Sequence, residues 1–282
     1  MRKAKFIRYI KSLYIRFYKD DIPALGAQLA YYFLLSFFPF LILLITIISY
    51  TPISSEDVLK ELAYILPESA FELIEESVFL GNTKVTGQFL SFGFIAMLWT
   101  ASNGIGAAVR CLNKAYDVEE KRPFWQIKFM SVFFTIALAI VILLSFVLLI
   151  FGQHVGIYLA GRIGIESYFY ALWNVIRYIS ITLIIIMVFA AFYRYVPNRR
   201  LCWREVLPGA VFTTISWIIA SMGFAFYVNN FGTYSIVYGS LGGAIVLLVW
   251  LFLSSMIILM GGELNATLAF DREKEGKPHE KH

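Results

Sequence analysis

The chain has 282 residues, of which 59% are hydrophobic and 15% charged, with a net charge of +5. Soluble domains carry about 25% charged residues, and a mean hydropathy of +0.71 leaves more apolar surface than one water-soluble core can hide. The composition excludes an ordinary soluble enzyme, and the basic charge does not argue for nucleic acid as a partner, because it sits outside the apolar stretches.

Residues 1–21 hold seven Lys/Arg interleaved with Phe6, Ile7, Ile10, Leu13, Tyr14 and Phe17 at helical spacing. The pattern predicts an interfacial amphipathic helix with its basic residues toward headgroups and water. It lacks the short apolar core and small-residue cleavage site of a secretory signal.

Six stretches then reach the roughly 20 apolar residues that a helix needs to cross hydrocarbon: about 24–50, 87–108, 129–151, 171–193, 206–228 and 239–262. Each is expected to be helical, because a bilayer offers no partner for a free amide. The expected fold is an all-α integral membrane protein, a six-helix transmembrane bundle forming one domain over residues 1–270.

The loops alternate in charge. The N-terminal segment has seven Lys/Arg, 109–128 five, 194–205 four and the tail four; 51–86 has two, 152–170 one and 229–238 none. Twenty basic residues against three place the first group, and both termini, in the cytoplasm by the positive-inside rule. Six crossings keep this alternation, and five or seven would break it. The localisation expected is a bacterial cytoplasmic (inner) membrane.

Loop 51–86 carries seven acidic residues. Its two apolar stripes, Val58 to Leu66 and Ala70 to Phe79, flank Pro67 and predict a short extracytoplasmic helical hairpin; a solvated acidic loop is the plainer alternative. Residues 271–282 are polar and expected to be a disordered cytoplasmic tail. Cys111 and Cys202 both fall in cytoplasmic loops, so no disulfide is expected, and the scattered Cys and His residues predict no metal site.

Polar residues within apolar helices call for a reason. Gln28, Tyr32, Ser36 and Pro39 share one face of the first span, and Pro39 is expected to kink it. Asn103 ends the second span with Ser102, Gly104 and Gly106, where packing is the stronger alternative to ligand contact. Glu263 and Asn265 close the sixth; Glu263 either pairs with a loop arginine, the plainer reading, or lines a polar site. By direction of travel Gln28, Asn103, Glu263 and Asn265 lie toward the cytoplasmic half, on the side of Arg110, Arg122 and Arg194. The candidate site is therefore a polar or anion-accepting pocket near the inner leaflet, formed by Gln28, Ser36, Asn103, Arg110, Glu263 and Asn265.

The order of several short motifs resembles the YihY/BrkB family of bacterial inner-membrane proteins, some of them formerly labelled ribonuclease BN. The matching residues are Ala27, Ala30-Tyr31-Tyr32, Leu35-Ser36 and Pro39; Leu98-Trp99-Thr100 and Ser102; Leu112-Asn113, Tyr116-Asp117 and Arg122-Pro123-Phe124; Tyr193, Pro197, Trp203 and Pro208-Gly209-Ala210; Trp217, Tyr227, Tyr234 and Tyr238 to Gly242; Trp250-Leu251; and Gly262-Glu263-Leu264-Asn265-Ala266. Gly262, where the family pattern has alanine, and Phe252, where tyrosine is common, are small departures. The resemblance spans about residues 15–270. It implies a six-span bundle linked to envelope lipid handling or export and to serum resistance.

Two functions from different classes follow. One is a transporter or flippase for a lipid or amphiphilic anion, with membrane lipids as partners, a homo-oligomer as a candidate assembly and no cofactor. The other is a non-transporting scaffold that partners envelope-assembly proteins. An enzyme is not expected. A ribonuclease needs an acid cluster for metal or histidines placed as acid and base, whereas His279 and His282 fall in the tail and His154 in an extracytoplasmic loop.

Overall fold

A computed structural model describes residues 2–49, 87–138, 140–141, 166–231 and 242–274. Among these, every regular element is a helix: α1 (Arg2–Lys19), α2 (Ile22–Ser49), α3 (Gly87–Ala115), α4 (Phe124–Leu138), α5 (Glu166–Tyr195), α6 (Trp203–Phe231) and α7 (Gly242–Lys274). The predicted hairpin in 51–86 and His154 lie outside the described residues. Within α5, α6 and α7, Tyr178–Tyr195, Trp203–Asn230 and Gly242–Glu273 are long and apolar enough to cross a membrane, and Ile22–Phe37 and Phe124–Leu138 are shorter apolar helices.

The helices alternate in direction. The start of α2, the end of α3, the start of α4, the end of α5, the start of α6 and the end of α7 converge at one end of the bundle. Ile22, Cys111 and Leu259 pack together there, and Val109, Leu112, Tyr193, Val206, Ala210 and Ala266 form the adjoining cluster. The basic connectors share this end, as the loop charges predict.

Around the bundle the order is α3, α2, α7, α6, α5. Helix α4 lies between α5 and α3, with Phe134 edge-on to Phe192 and Lys128 bonded to Ser102 and Asn103. Helix α7 is the most enclosed, and Leu247, Leu259, Glu263 and Asn265 on it are fully buried. Small residues bring its neighbours close: a Cβ at Gly26 would meet Met256, and one at Gly262 would meet Leu112. Trp217 and Trp250 then cross-bond α6 and α7 through Ser254 and Ser221.

Local signals set the ends. Asp117 closes α3 at a positive φ of 51°, with Val118 N–H bonded to Asn113 O and Asp117 N–H to Lys114 O. This is a Schellman stop with aspartate in the usual glycine place. Glu205 reaches back to the Cys202 N–H and caps α6.

Two expectations are corrected. The segment expected to be a disordered tail begins as helix, because α7 runs to Lys274 and is tied by Tyr9 to Asp271 and by Arg199 to Glu273. Helix α1 forms as predicted, but Arg16 points inward. The inward side carries Phe17, Arg16 and Asp20, and the opposite side exposes Ile10, Tyr14, Ile15 and Tyr18. Burial of Arg16 is tolerated because its charge finds carboxylates and a carbonyl. Helix α2 continues through Pro39, whose side chain is outside those described, so the expected kink is too.

Candidate functional site

Residues Trp99, Asn103, Gly106, Arg110 and Lys114 recur at spacings of 4, 3, 4 and 4 along α3 and so share one face. Trp99, Arg110 and Lys114 are exposed, Asn103 and Gly106 partly so. A Cβ at Gly106 would meet nothing within 4 Å. This face looks outward from the bundle between α2 and α4.

Helix α2 lines one side. Arg110 Nη2 donates to Gln28 Oε1 at 3.1 Å, and Lys114 Nζ pairs with Asp21 at 3.0 Å. Gln28, Tyr31 and Leu35 stand on one exposed stripe of α2, with the Tyr31 and Tyr32 rings edge to face.

Helix α4 lines the other. Lys128 Nζ donates to Ser102 Oγ at 2.6 Å and to Asn103 Oδ1 at 2.9 Å, and lies 4.3 Å from the centroid of the Trp99 ring. Phe124, Trp125, Phe129 and Phe133 on α4 are all more than half exposed. The face therefore carries two cations, Arg110 bonded to Gln28 and Lys128 bonded to Asn103, with aromatic surface beside them.

Of the six residues expected to form one pocket, Gln28 and Arg110 meet directly, and Asn103 is on the same α3 face. The other three lie elsewhere. Ser36 is buried and bonds back to Phe33 O. Asn265 is fully buried and ties α7 to α6, accepting from Gly209 N–H at 2.7 Å and donating to Val206 O at 3.1 Å. Glu263 accepts from Arg16 at 3.2 Å. It pairs with an arginine as the plainer expectation held, but one from α1 rather than from a loop.

Other arginines at this end of the bundle hold the connectors together. Arg122 forks onto both oxygens of Glu120 and donates to Val196 O. Asn113 donates to Glu120 and accepts from Asn198 N–H. Arg122 holds the Glu120 carboxyl down to about 2. Arg194 stacks on Trp203 and Tyr195. Lys128 was countable only as a loop charge. Arg16 had a signal: alone among the basic residues of α1 it stands beside Phe17 and in phase with Leu13.

Residues 13–282 match the family model described as virulence factor BrkB. The chain belongs to the BrkB family. Within related proteins, it is 45% identical over 260 residues to the ribonuclease-like protein YfkH of Bacillus subtilis (strain 168), covering 92% of this chain and 94% of that one. It is 30% identical over 270 residues to a UPF0761 membrane protein of Aliivibrio salmonicida, covering 92% and 83%. With a UPF0761 membrane protein of Alteromonas mediterranea it shares 29% over 265 residues, covering 91% and 86%. No solved structure matches. Membership, together with helices able to span a bilayer, makes this a multi-pass protein of the cytoplasmic membrane.

Proposed function

We propose that the protein is a transporter or flippase for a lipid or amphiphilic anion, and that α2 to α7 are six membrane crossings with both termini in the cytoplasm. The observation that carries the reading is the outward polar ladder on α3. On α3, Arg110 is exposed and Asn103 partly so, and Lys128 of α4 reaches across to bond Asn103. A polar surface turned toward lipid is costly unless something polar occupies it. Arginine and lysine suit a phosphate or carboxylate headgroup, and exposed Trp99, Phe129 and Phe133 suit the apolar chain that follows it.

The test is reconstitution in vesicles with a fluorescent anionic lipid, scored by loss of signal to an external quencher. Arg110→Ala and Asn103→Ala are expected to slow movement at least about tenfold, roughly 1.4 kcal/mol in the barrier, with folded yield unchanged. Wild-type protein that moves no labelled lipid or anion under any gradient sinks the reading. Orientation is tested with Cys202, which is partly exposed: a membrane-impermeant thiol reagent added outside cells should not reach it. Cys111 is buried and cannot report.

A scaffold role is favoured by one feature, the aromatic stripe of α4, which would equally receive a protein partner or a second copy. Copurification of a stoichiometric partner, lost on Trp125→Ala, would support it. We further read the protein as non-enzymatic. The ribonuclease-like wording belongs to a relative's name.

A further inference from the structure

The inner end of α7 holds a carboxyl that the α3 face does not use. Glu263 is fully buried. Its Oε2 accepts from Arg16 at 3.2 Å, while its Oε1 has no hydrogen-bond partner. The same Arg16 nitrogen lies 4.0 Å from Asp20, itself only 4% exposed, and donates to Ala115 O. One guanidinium thus faces two buried carboxyls.

The surrounding charges do not close the balance. On the α1–α2 side, Asp21 engages Lys114 in an exposed pair. At the end of α3, Asp117 adds negative potential at Glu263; Cys111 and Tyr116 are buried and uncharged. From α5, Tyr193 spends its hydroxyl on Ile258 O and Thr213. From the α5–α6 connector, Arg199 pairs with Glu273 of α7. Asp271, farther along α7, accepts from Tyr9, and Glu205 of α6 holds the Cys202 N–H. With both acids ionised, one buried negative charge stays uncompensated, a state that burial disfavours.

Two further buried oxygens have no partner nearby. Thr267 Oγ1 stands one helical turn beyond Glu263 on α7, and the Tyr116 hydroxyl follows directly on the residue whose carbonyl binds Arg16. The Tyr116 and Thr267 residues are 2% and 7% exposed. Both are neutral hydroxyls and add no positive charge to balance a carboxylate.

We propose that Glu263 is a proton-binding site, its Oε1 taking one exchangeable proton while Arg16 remains bonded to Oε2 and balances Asp20. Hydronium supplies the proton: an O–H bond forms at Oε1 and a water molecule is released. Arg16, on the inward side of α1, lies over that carboxyl. The inference does not rest on the transport reading, because occupancy is measured on the resting protein.

The experiment is infrared spectroscopy of the purified full-length protein in lipid nanodiscs across a pH series. At neutral pH a protonated-carboxyl stretch is expected that disappears in Glu263→Gln, weakens in Asp20→Asn, where Arg16 is left to balance Glu263 alone, and fades at alkaline pH. No such band, or a band unchanged in Glu263→Gln, overturns the proposal. So does a band abolished by added sodium at constant pH, which would make the ligand a metal cation. If Glu263→Gln fails to fold, wild-type protein is treated with an apolar carbodiimide, which adds to protonated buried carboxyls, and mapped by mass spectrometry. An adduct at Glu263 that declines toward alkaline pH is expected; its absence at neutral pH is decisive against.

Discussion

Two regions of this bundle are built from the same residue types and do opposite things. At the α6–α7 crossing, Gly209, Gly261 and Asn265 are buried, and a Cβ at either glycine would overlap the other helix's backbone or Thr213 and Tyr193 side chains. On the outer face of α3, Gly106 has open space where its Cβ would be, and Asn103 is half exposed and bonded to a lysine. In the first region small residues allow two backbones to touch, and an asparagine satisfies backbone groups of its neighbour. In the second, the same residues leave a polar surface clear. A small residue in a membrane helix therefore carries no fixed meaning; its partner decides.

The largest expected effect breaks that contrast directly. Gly261→Ala forces a methyl into Thr213 and the Tyr193 hydroxyl, and Gly209→Ala forces one into the Gly261 carbonyl. At Gly209 the obstacle is backbone, and at Gly261 it is two hydrogen-bonded side chains with the Gly209 carbonyl behind them, so a loss of about 3 kcal/mol or more is expected. Gly106→Ala meets nothing and should be neutral or stabilising by up to about 1 kcal/mol through helix propensity. Thermal unfolding in detergent separates the two; equal destabilisation would show that the α3 face is covered.

The asparagines give the next effect. Asn265→Ala removes a buried acceptor for Gly209 N–H and a donor to Val206 O, a cost of about 2–3 kcal/mol. Asn103→Ala removes only a half-exposed acceptor and should change stability by under about 0.5 kcal/mol. Its effect should fall on lipid movement instead. Tyr193→Phe is smaller again: it takes one donor from Ile258 O and Thr213, at about 1–2 kcal/mol, measured by the same unfolding assay.

The membrane character, the helical pattern and the convergence of basic connectors at one end were legible in the sequence. Each depends on composition or on one helix at a time. The candidate site was half legible. Gln28, Asn103 and Arg110 share a surface, as direction of travel implied, because depth along a helix follows from residue count. Asn265 and Ser36 were not separable from them, because which face a helix turns inward depends on neighbours that a single sequence does not name. Asn265 faces α6 only because Gly209 lets the helices close. Arg16 was miscounted for a related reason: a basic residue in an amphipathic segment reads as solvated until a buried carboxylate is found opposite it.

The smallest effect concerns the link between the two regions. The Glu120–Arg122 pair joins the α3–α4 connector to Val196 at the end of α5, and so ties the open face to the packed crossing. Glu120 is held at about 2 against an ordinary 4.5, chiefly by its bonds to Arg122. Because the folded value is depressed, its stabilising contribution is complete above pH 4.5, declines as pH falls through that interval, and is gone below about pH 2. Solvent reaches the pair, so the contribution is expected to be under about 1 kcal/mol. Glu120→Gln should lower the unfolding midpoint at neutral pH, and its gap from wild type should close as the medium is acidified. A gap that stays constant from neutral to acid would mean the carboxylate's charge is irrelevant and only its shape holds the connector. The open face and the packed crossing would then be joined by packing alone.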